Sequence, residues 1–101
     1  MTIETVVEKK SATRRLIKEP SKYKVIIYND DHTPVDFVIA MLVMVFKYSE
    51  SAAHDLTLAV HNKGSAVAGV YTHEVAEQKA LDATQMARSN GFPLVLKVEP
   101  E

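Results

Sequence analysis

A strand passes into a helix through a polar corner in the stretch Tyr23-Lys24-Val25-Ile26-Ile27-Tyr28-Asn29-Asp30-Asp31-His32-Thr33-Pro34. The run from Tyr23 to Tyr28 is short, apolar and rich in β-branched residues, which predicts a partly buried strand. The polar residues that follow end this strand. Thr33 is predicted to be the N-cap of a helix and Pro34 its first residue, and Asp36 completes a Thr-x-x-Asp capping box. Two carboxylates and an amide therefore lie at the mouth of an apolar helix, a place suited to bind a cation beside an apolar group.

The composition sets limits on the class of protein. A chain of 101 residues fits one small domain, and its formal net charge of -1 gives no sign of a nucleic-acid-binding surface. The absence of cysteine excludes disulfides, thiolate nucleophiles and cysteine-bound zinc. The N-terminus lacks the apolar core of a secretory signal, and the longest apolar run, Val35 to Phe46, is too short to span a bilayer. We therefore expect a cytoplasmic protein that binds neither nucleic acid nor membrane.

The rest of the sequence alternates helical and extended patterns. Residues 1–20 mix charged and polar residues with isolated apolar ones, which predicts a flexible N-terminal tail before a core of residues 21–101. The predicted elements of the core are a strand at 23–28, a helix at 34–48, a helix from Ser49 or Ser51 to about residue 62, a strand at 66–71 with Gly69 close to another backbone, a helix at 73–90 and a strand at 94–99. This βααβαβ order predicts a small single α+β domain in which a three-stranded antiparallel sheet packs against three helices.

Few residues of the chain suggest catalysis. The sequence contains no nucleophile elbow, no glycine-rich phosphate loop and no serine paired with a histidine. Its aspartates and histidines do not have the spacing of an HExxH motif or of an EF-hand loop. We expect neither an enzyme nor a bound metal or other cofactor.

Three polar residues are the strongest candidates for binding a ligand. Asn29 and Asp30 lie in the corner, and His61 lies at the end of the second predicted helix, one turn after Thr57 and on the same side. These groups converge if the second helix folds back along the first. The local pattern leaves a purely structural alternative open, in which Asn29 and Asp30 only satisfy backbone groups of the turn.

Four separated motifs resemble the ClpS family of N-end-rule adaptors. They are Tyr28-Asn29-Asp30-Asp31-His32-Thr33-Pro34-Val35-Asp36-Phe37-Val38, Ala59-Val60-His61, Gly69-Val70-Tyr71-Thr72-His73-Glu74-Val75-Ala76-Glu77-Gln78-Lys79-Ala80 and Ala87-Arg88-Ser89-Asn90-Gly91-Phe92-Pro93-Leu94. Their joint occurrence is specific, and the similarity covers about Tyr23 to Val98. The resemblance implies an adaptor without catalytic activity. Such an adaptor binds the first residue of a degradation substrate and delivers it to a ClpA-type AAA+ unfoldase for proteolysis by ClpP.

The resemblance also implies roles for individual residues. Asn29, Asp30 and His61 would coordinate the substrate's α-amino group, with Asp31 supporting the corner or acting through water, because an ammonium offers three donors to such acceptors. The first side chain, a Phe, Tyr, Leu or Trp, would occupy a hydrophobic pocket lined by Thr33, Val35, Val38, Met41, Thr57, Val60 and Leu94. Methionine is usual in the family where this chain has Val35 and Thr57, which are stiffer. We therefore expect a narrower or shifted preference among bulky residues, toward those whose ring or hydroxyl can use Thr57.

The third predicted helix carries the residues implied in partner binding. By the same resemblance, Glu74 and Lys79 dock on the N-terminal domain of the unfoldase, and the tail acts on the unfoldase during delivery. Without the resemblance, these two charges are typical of a solvated helix face. Two other functions remain open. One is a non-catalytic protein–protein interaction domain that uses the helix of Val35 to Phe46, with the corner purely structural, and the other is a metal-assisted hydrolase built on the aspartates and histidines.

Overall fold

The computed structural model describes residues 21–101, so the predicted tail of residues 1–20 lies outside the described residues. Six elements follow one another in the predicted order, and the predicted α+β class is confirmed. They are β1 (Lys22–Tyr28), α1 (Val35–Phe46), α2 (Glu50–Lys63), β2 (Ser65–Thr72), α3 (His73–Ser89) and β3 (Val95–Pro100). No helix among residues 21–101 is both long enough and apolar enough to cross a membrane.

The sheet has the strand order β2-β1-β3, and both pairs of neighbours are antiparallel. The apolar strand predicted at the start of the corner is therefore the central strand. Because side chains alternate along a strand, Val25 and Ile27 share one face, and both are fully buried in the core. The register between β1 and β2 shifts between Val25 and Ile26. The last residue of β1, Tyr28, pairs with Ser65 and Val95, so the corner leaves the sheet at the start of both edge strands.

All three helices contribute to one hydrophobic core. Helix α3 contacts each of the three strands, and α1 packs against α2 and α3. The face of α3 that is turned inward consists of small side chains, which allow the helix to lie close to its neighbours. These buried residues are Ala76, Ala80, Ala83 and Ala87. Bulk comes mainly from fully buried side chains of the other elements, among them Met41, Leu42 and Leu94.

The start of α1 differs from the predicted capping box. The N-cap position is occupied by Pro34, in extended conformation at φ -66° and ψ 146°, and no side chain forms a cap hydrogen bond there. Thr33 precedes the cap, and its hydroxyl donates to Asp30 Oδ2 over 2.8 Å. The prediction that Thr33 and Asp36 form a capping box is therefore wrong. Asp30 organises this turn from the N-terminal side.

The end of α1 also comes earlier than predicted. The helix stops at Phe46 because Lys47 adopts a left-handed conformation with φ 63°, and the N–H of Lys47 donates to Leu42 O. The Val45 carbonyl, in the last turn, accepts a hydrogen bond of 2.9 Å from Lys79 Nζ. A side chain of α3 therefore stabilises the C-terminus of α1.

Gly69 in β2 is needed for a different reason from the one predicted. A Cβ at this position would overlap the ring and hydroxyl of Tyr71, two residues along the same strand. The close neighbour is thus an aromatic side chain and not another backbone. Tyr71 in turn packs against Phe46, with ring centroids 6.4 Å apart, which links the end of α1 to the sheet.

Candidate functional site

A cavity of about 330 Å³ lies where the corner meets the start of α1 and the C-terminal half of α2. Its size is within the range of small-ligand pockets. It brings together every residue predicted for amino-group binding and every predicted pocket residue except Met41, which is fully buried in the core and is not among the residues that line it. The lining residues are Tyr28, Asn29, Asp30, Asp31, Thr33, Pro34, Val35, Val38, Thr57, Val60, His61 and Leu94.

A backbone contact brings the two halves of the polar rim together. The N–H of Asn29 donates to the Gly64 carbonyl over 2.9 Å, and Gly64 ends α2 in a left-handed conformation at φ 92°. His61 lies in the last turn of α2, so this contact holds the imidazole and the Asn29 amide beside the same cavity. Both side chains are exposed. They are open to a ligand that arrives from solvent.

Asp30 fixes the turn of the corner. Its Oδ1 accepts hydrogen bonds of 2.8 Å from the N–H groups of His32 and Thr33, while its Oδ2 accepts the Thr33 hydroxyl. Burial raises the pKa of the Asp30 carboxyl, but these hydrogen bonds outweigh that effect and hold the pKa below its ordinary value. Since a carboxylate offers about four lone pairs, one acceptor position on Oδ2 stays open. The hydrogen bonds within the turn therefore do not use all the acceptor positions of the Asp30 carboxylate.

The walls below the rim are apolar and stiff. Val38, Val60 and Leu94 are 7%, 4% and 2% exposed, whereas Val35 is 50% exposed and forms part of the lip. Most of the wall residues are β-branched, and such side chains have few χ1 rotamers available. The shape of the cavity is therefore fixed largely by the backbone.

One wall depends on a residue that the sequence did not single out for the site. Arg88, near the end of α3, donates from one guanidinium nitrogen to the carbonyls of Phe92 and Leu94, over 2.9 and 2.8 Å. The Phe92 ring packs edge-on against Phe37 of α1, with centroids 5.0 Å apart. These contacts fix the loop that presents Leu94 to the cavity. In the sequence, Arg88 stands out only as part of a family motif, and nothing in the local pattern indicates that it reaches over the loop.

Two further lining residues were also missed. Tyr28 and Pro34 border the cavity, although the sequence suggested only a strand end and a helix start for them. The ammonium of Lys97 lies 5.6 Å from the centroid of the Tyr28 ring, within range of a cation–π interaction. The position of Tyr28 directly before Asn29 was the available signal.

The two residues predicted to dock on a partner lie on α3 and do not line the cavity. Glu74 is exposed in the first turn of the helix. Lys79 is half-buried, because its ammonium binds the Val45 carbonyl and lies 5.5 Å from the Tyr71 ring centroid and 6.0 Å from that of Phe46. The two charges therefore have different surroundings.

The titratable side chains of the described region do not form a metal centre. Among residues 21–101, no three His, Asp or Glu side chains are arranged to hold a metal ion. His73, at the start of α3, instead lies 3.3 Å from the Glu77 carboxylate and edge-on to the Tyr23 ring.

Comparison with known proteins identifies the family. Residues 18–97 match the family model of the ATP-dependent Clp protease adaptor protein ClpS. The chain is 49% identical over 87 residues to the ClpS adaptor of Edwardsiella ictaluri, covering 86% of this chain and 82% of that one. It is 45% identical over 84 residues to the ClpS adaptor of Desulfotalea psychrophila, covering 83% and 82%. The structure of Agrobacterium tumefaciens ClpS2 bound to L-phenylalaninamide aligns with a TM-score of 0.80 and 42% identity, over 82% of this chain and 100% of that chain. The chain belongs to the ClpS family of adaptors of the ATP-dependent Clp protease, as its motifs predicted.

Proposed function

We propose that this chain binds the first residue of substrate proteins when that residue has a free α-amino group and a bulky hydrophobic side chain. The observation that carries the proposal is the composition of one cavity, in which amide, carboxylate and imidazole groups form the rim and apolar side chains form the walls. The ligand of the Agrobacterium protein, L-phenylalaninamide, supports it, because that molecule combines a free amino group with a phenyl side chain.

The rim suits an ammonium group. An ammonium has three donors, and the Asn29 amide oxygen, a neutral His61 nitrogen and the open lone pair of Asp30 can each accept one. Asp31 adds a second carboxylate to the lining of the cavity. Hydrogen bonds between a charged donor and such acceptors are stronger than those between neutral groups. An internal residue of a chain presents only an uncharged amide with one donor, so the rim favours free termini.

The walls suit a large apolar side chain. Transfer of a Phe, Tyr, Leu or Trp side chain from water into such a cavity yields about 1.5–3 kcal/mol. Because the walls are already buried and stiff, little conformational freedom is lost on binding. The walls thereby favour bulky hydrophobic first residues.

The proposed function includes delivery of the bound substrate to an unfoldase. We infer that Glu74 and Lys79 on α3 dock on the N-terminal domain of a ClpA-type AAA+ unfoldase in the cytoplasm, and that the chain acts there without catalysis of its own. The separation of α3 residues from the cavity supports simultaneous binding of substrate and unfoldase. A core of residues 21–101 carries both surfaces, and residues 1–20 act on the unfoldase during delivery.

A pair of peptides tests this function. A fluorescent peptide that begins with Phe and has a free N-terminus should bind with a Kd at least about 100-fold lower than its N-acetylated twin, because acetylation removes the charge and two donors. Fluorescence anisotropy measures both affinities. The peptides should be recovered intact, and a chelator should leave binding unchanged. Equal affinity of the two peptides would contradict the proposal and would favour an interaction surface on α1 instead.

A further inference from the structure

One wall of the cavity contains a polar residue. Thr57, on α2, is 5% exposed and is the only buried polar or charged residue of the region 21–101. It lines the cavity together with the apolar side chains of Val38, Val60 and Leu94. A polar group in such surroundings needs a hydrogen-bond partner, since an unpaired one costs free energy.

The Thr57 hydroxyl has already used its only donor. Its Oγ1 donates to the carbonyl of Ala53, one turn earlier in α2, over 2.7 Å. A hydroxyl carries one donor and two acceptor lone pairs. Thr57 can therefore offer a cavity ligand only an acceptor.

The spacing along α2 matches the length of an aromatic side chain. His61 at the rim and Thr57 in the wall are four residues apart on the same side of the helix, which is a separation of about 5.4–6 Å. A first residue whose ammonium is held beside His61 directs its ring into the cavity along this turn of α2. Its para position then lies about one turn below the rim, at the level of Thr57.

We propose that Thr57 Oγ1 accepts a hydrogen bond from the first side chain of the substrate, and that this chain consequently prefers N-terminal Tyr to N-terminal Phe. This inference rests on the proposed function of the cavity. Tyr and Phe have the same ring and differ by one hydroxyl, which can donate to an acceptor-only partner. The stiff β-branched walls favour discrimination between Tyr and Phe, because Thr57 and its neighbours cannot rotate to adapt to a ligand that lacks the donor. The site thus contains a specificity-determining residue in its wall as well as an amino-binding rim.

The test compares two peptides that differ only in Tyr or Phe as the first residue. The unchanged protein should bind the Tyr peptide about 2- to 10-fold more tightly, which is the effect of one net hydrogen bond. In Thr57→Val, a change that conserves shape, the ratio should fall to one or below, because the phenol hydroxyl then lies in an apolar wall. Affinity for the Phe peptide should stay within about 2-fold. Isothermal titration calorimetry measures all four values.

Two further variants separate hydrogen bonding from general effects on packing. Thr57→Ser keeps the hydroxyl and should keep the preference for Tyr. Thr84→Val makes the same exchange on α3, at a half-buried position that does not line the cavity, and should leave both affinities unchanged.

Two results would overturn the inference. One is equal binding of the two peptides to the unchanged protein, and the other is a Tyr preference that persists in Thr57→Val. Both would leave the proposed function intact, because both require that the peptides bind. Failure of both peptides to bind would instead overturn the proposed function, and this inference with it.

Discussion

The polar corner and helix α3 both carry charged residues proposed to bind partners, and the two regions hold those residues differently. In the corner, Asp30 accepts hydrogen bonds from the turn. Asn29, and His61 of α2 beside it, stay exposed without a side-chain hydrogen bond to another residue of 21–101. On α3, Glu74 is exposed, whereas the Lys79 ammonium binds the end of α1. The difference teaches that a predicted contact residue can also stabilise the fold, so its substitution has to be judged by stability as well as by binding.

The largest effect on binding is expected at residues whose side chains do not also stabilise the fold. The double variant Asn29→Ala, His61→Ala should lose at least about 100-fold in affinity for a peptide with a free N-terminal Phe, because two charge-assisted hydrogen bonds of about 1.5–3 kcal/mol each are removed. Fluorescence anisotropy gives the change in Kd.

The same double variant should keep the stability of the unchanged protein. Both side chains are exposed, so the free energy of unfolding measured in urea should change by less than about 0.5 kcal/mol. Loss of binding together with a clear loss of stability would show that the rim is as much a part of the fold as Lys79 is.

A smaller effect is expected on α3, where substitution of Lys79 should reduce the stability of the fold. Lys79→Met keeps most of the aliphatic chain but removes the hydrogen bond to Val45 and the cation over two aromatic rings, so we expect a loss of about 1–2 kcal/mol in the free energy of unfolding. Chemical denaturation measures it. Glu74→Gln is the matched control, with a change of less than about 0.5 kcal/mol.

The same two variants, Lys79→Met and Glu74→Gln, can be compared in binding to the unfoldase. At temperatures where both variants are fully folded, each should weaken capture of the isolated N-terminal domain of the unfoldase. If Lys79→Met proved as stable as Glu74→Gln, the contrast between the two charges would not hold. Normal capture of the domain by both variants would argue against docking on this part of α3.

Much of the fold follows from local sequence signals. Three signals affect only residues that are close to them in the sequence: the apolar run of β1, the left-handed Gly64 after α2 and Pro93 after α3. All six elements lie near their predicted bounds. The exceptions depend on distant or competing partners. Lys47, a non-glycine residue with positive φ, ends α1 before the predicted residue 48, and Gly69 is required by the ring of Tyr71.

The cavity was predicted less completely than the fold. Motif similarity gave most lining residues, because rim and walls come from segments that carry the family's pattern. It did not give Arg88, whose contacts to the Phe92 and Leu94 carbonyls depend on how a loop closes in three dimensions. Nor did it indicate that Met41 is enclosed in the core, since a buried residue and a cavity residue have the same helical period.

The smallest effect is expected for the Asp30 carboxylate, which accepts hydrogen bonds within the corner. Asp30 has a pKa below its ordinary value in the folded protein, since its hydrogen bonds to His32 and Thr33 outweigh burial. A lowered pKa in the folded state means that the carboxylate stabilises the protein at pH values above its unfolded pKa, near ~3.9. The stabilisation is lost as the pH falls through the folded pKa, because both states are then protonated.

Asp30→Asn should therefore cost about 1 kcal/mol in the free energy of unfolding at pH 7, and the cost should shrink as the pH falls below about 4. Urea denaturation of both proteins between pH 7 and pH 2 measures the difference. Asp31→Asn is the matched control: this neighbouring carboxylate is exposed, so its substitution should change the free energy of unfolding at pH 7 by less than about 0.5 kcal/mol. A cost for Asp30→Asn that stayed the same at every pH would mean that the geometry of the turn, and not the charge of Asp30, stabilises the corner.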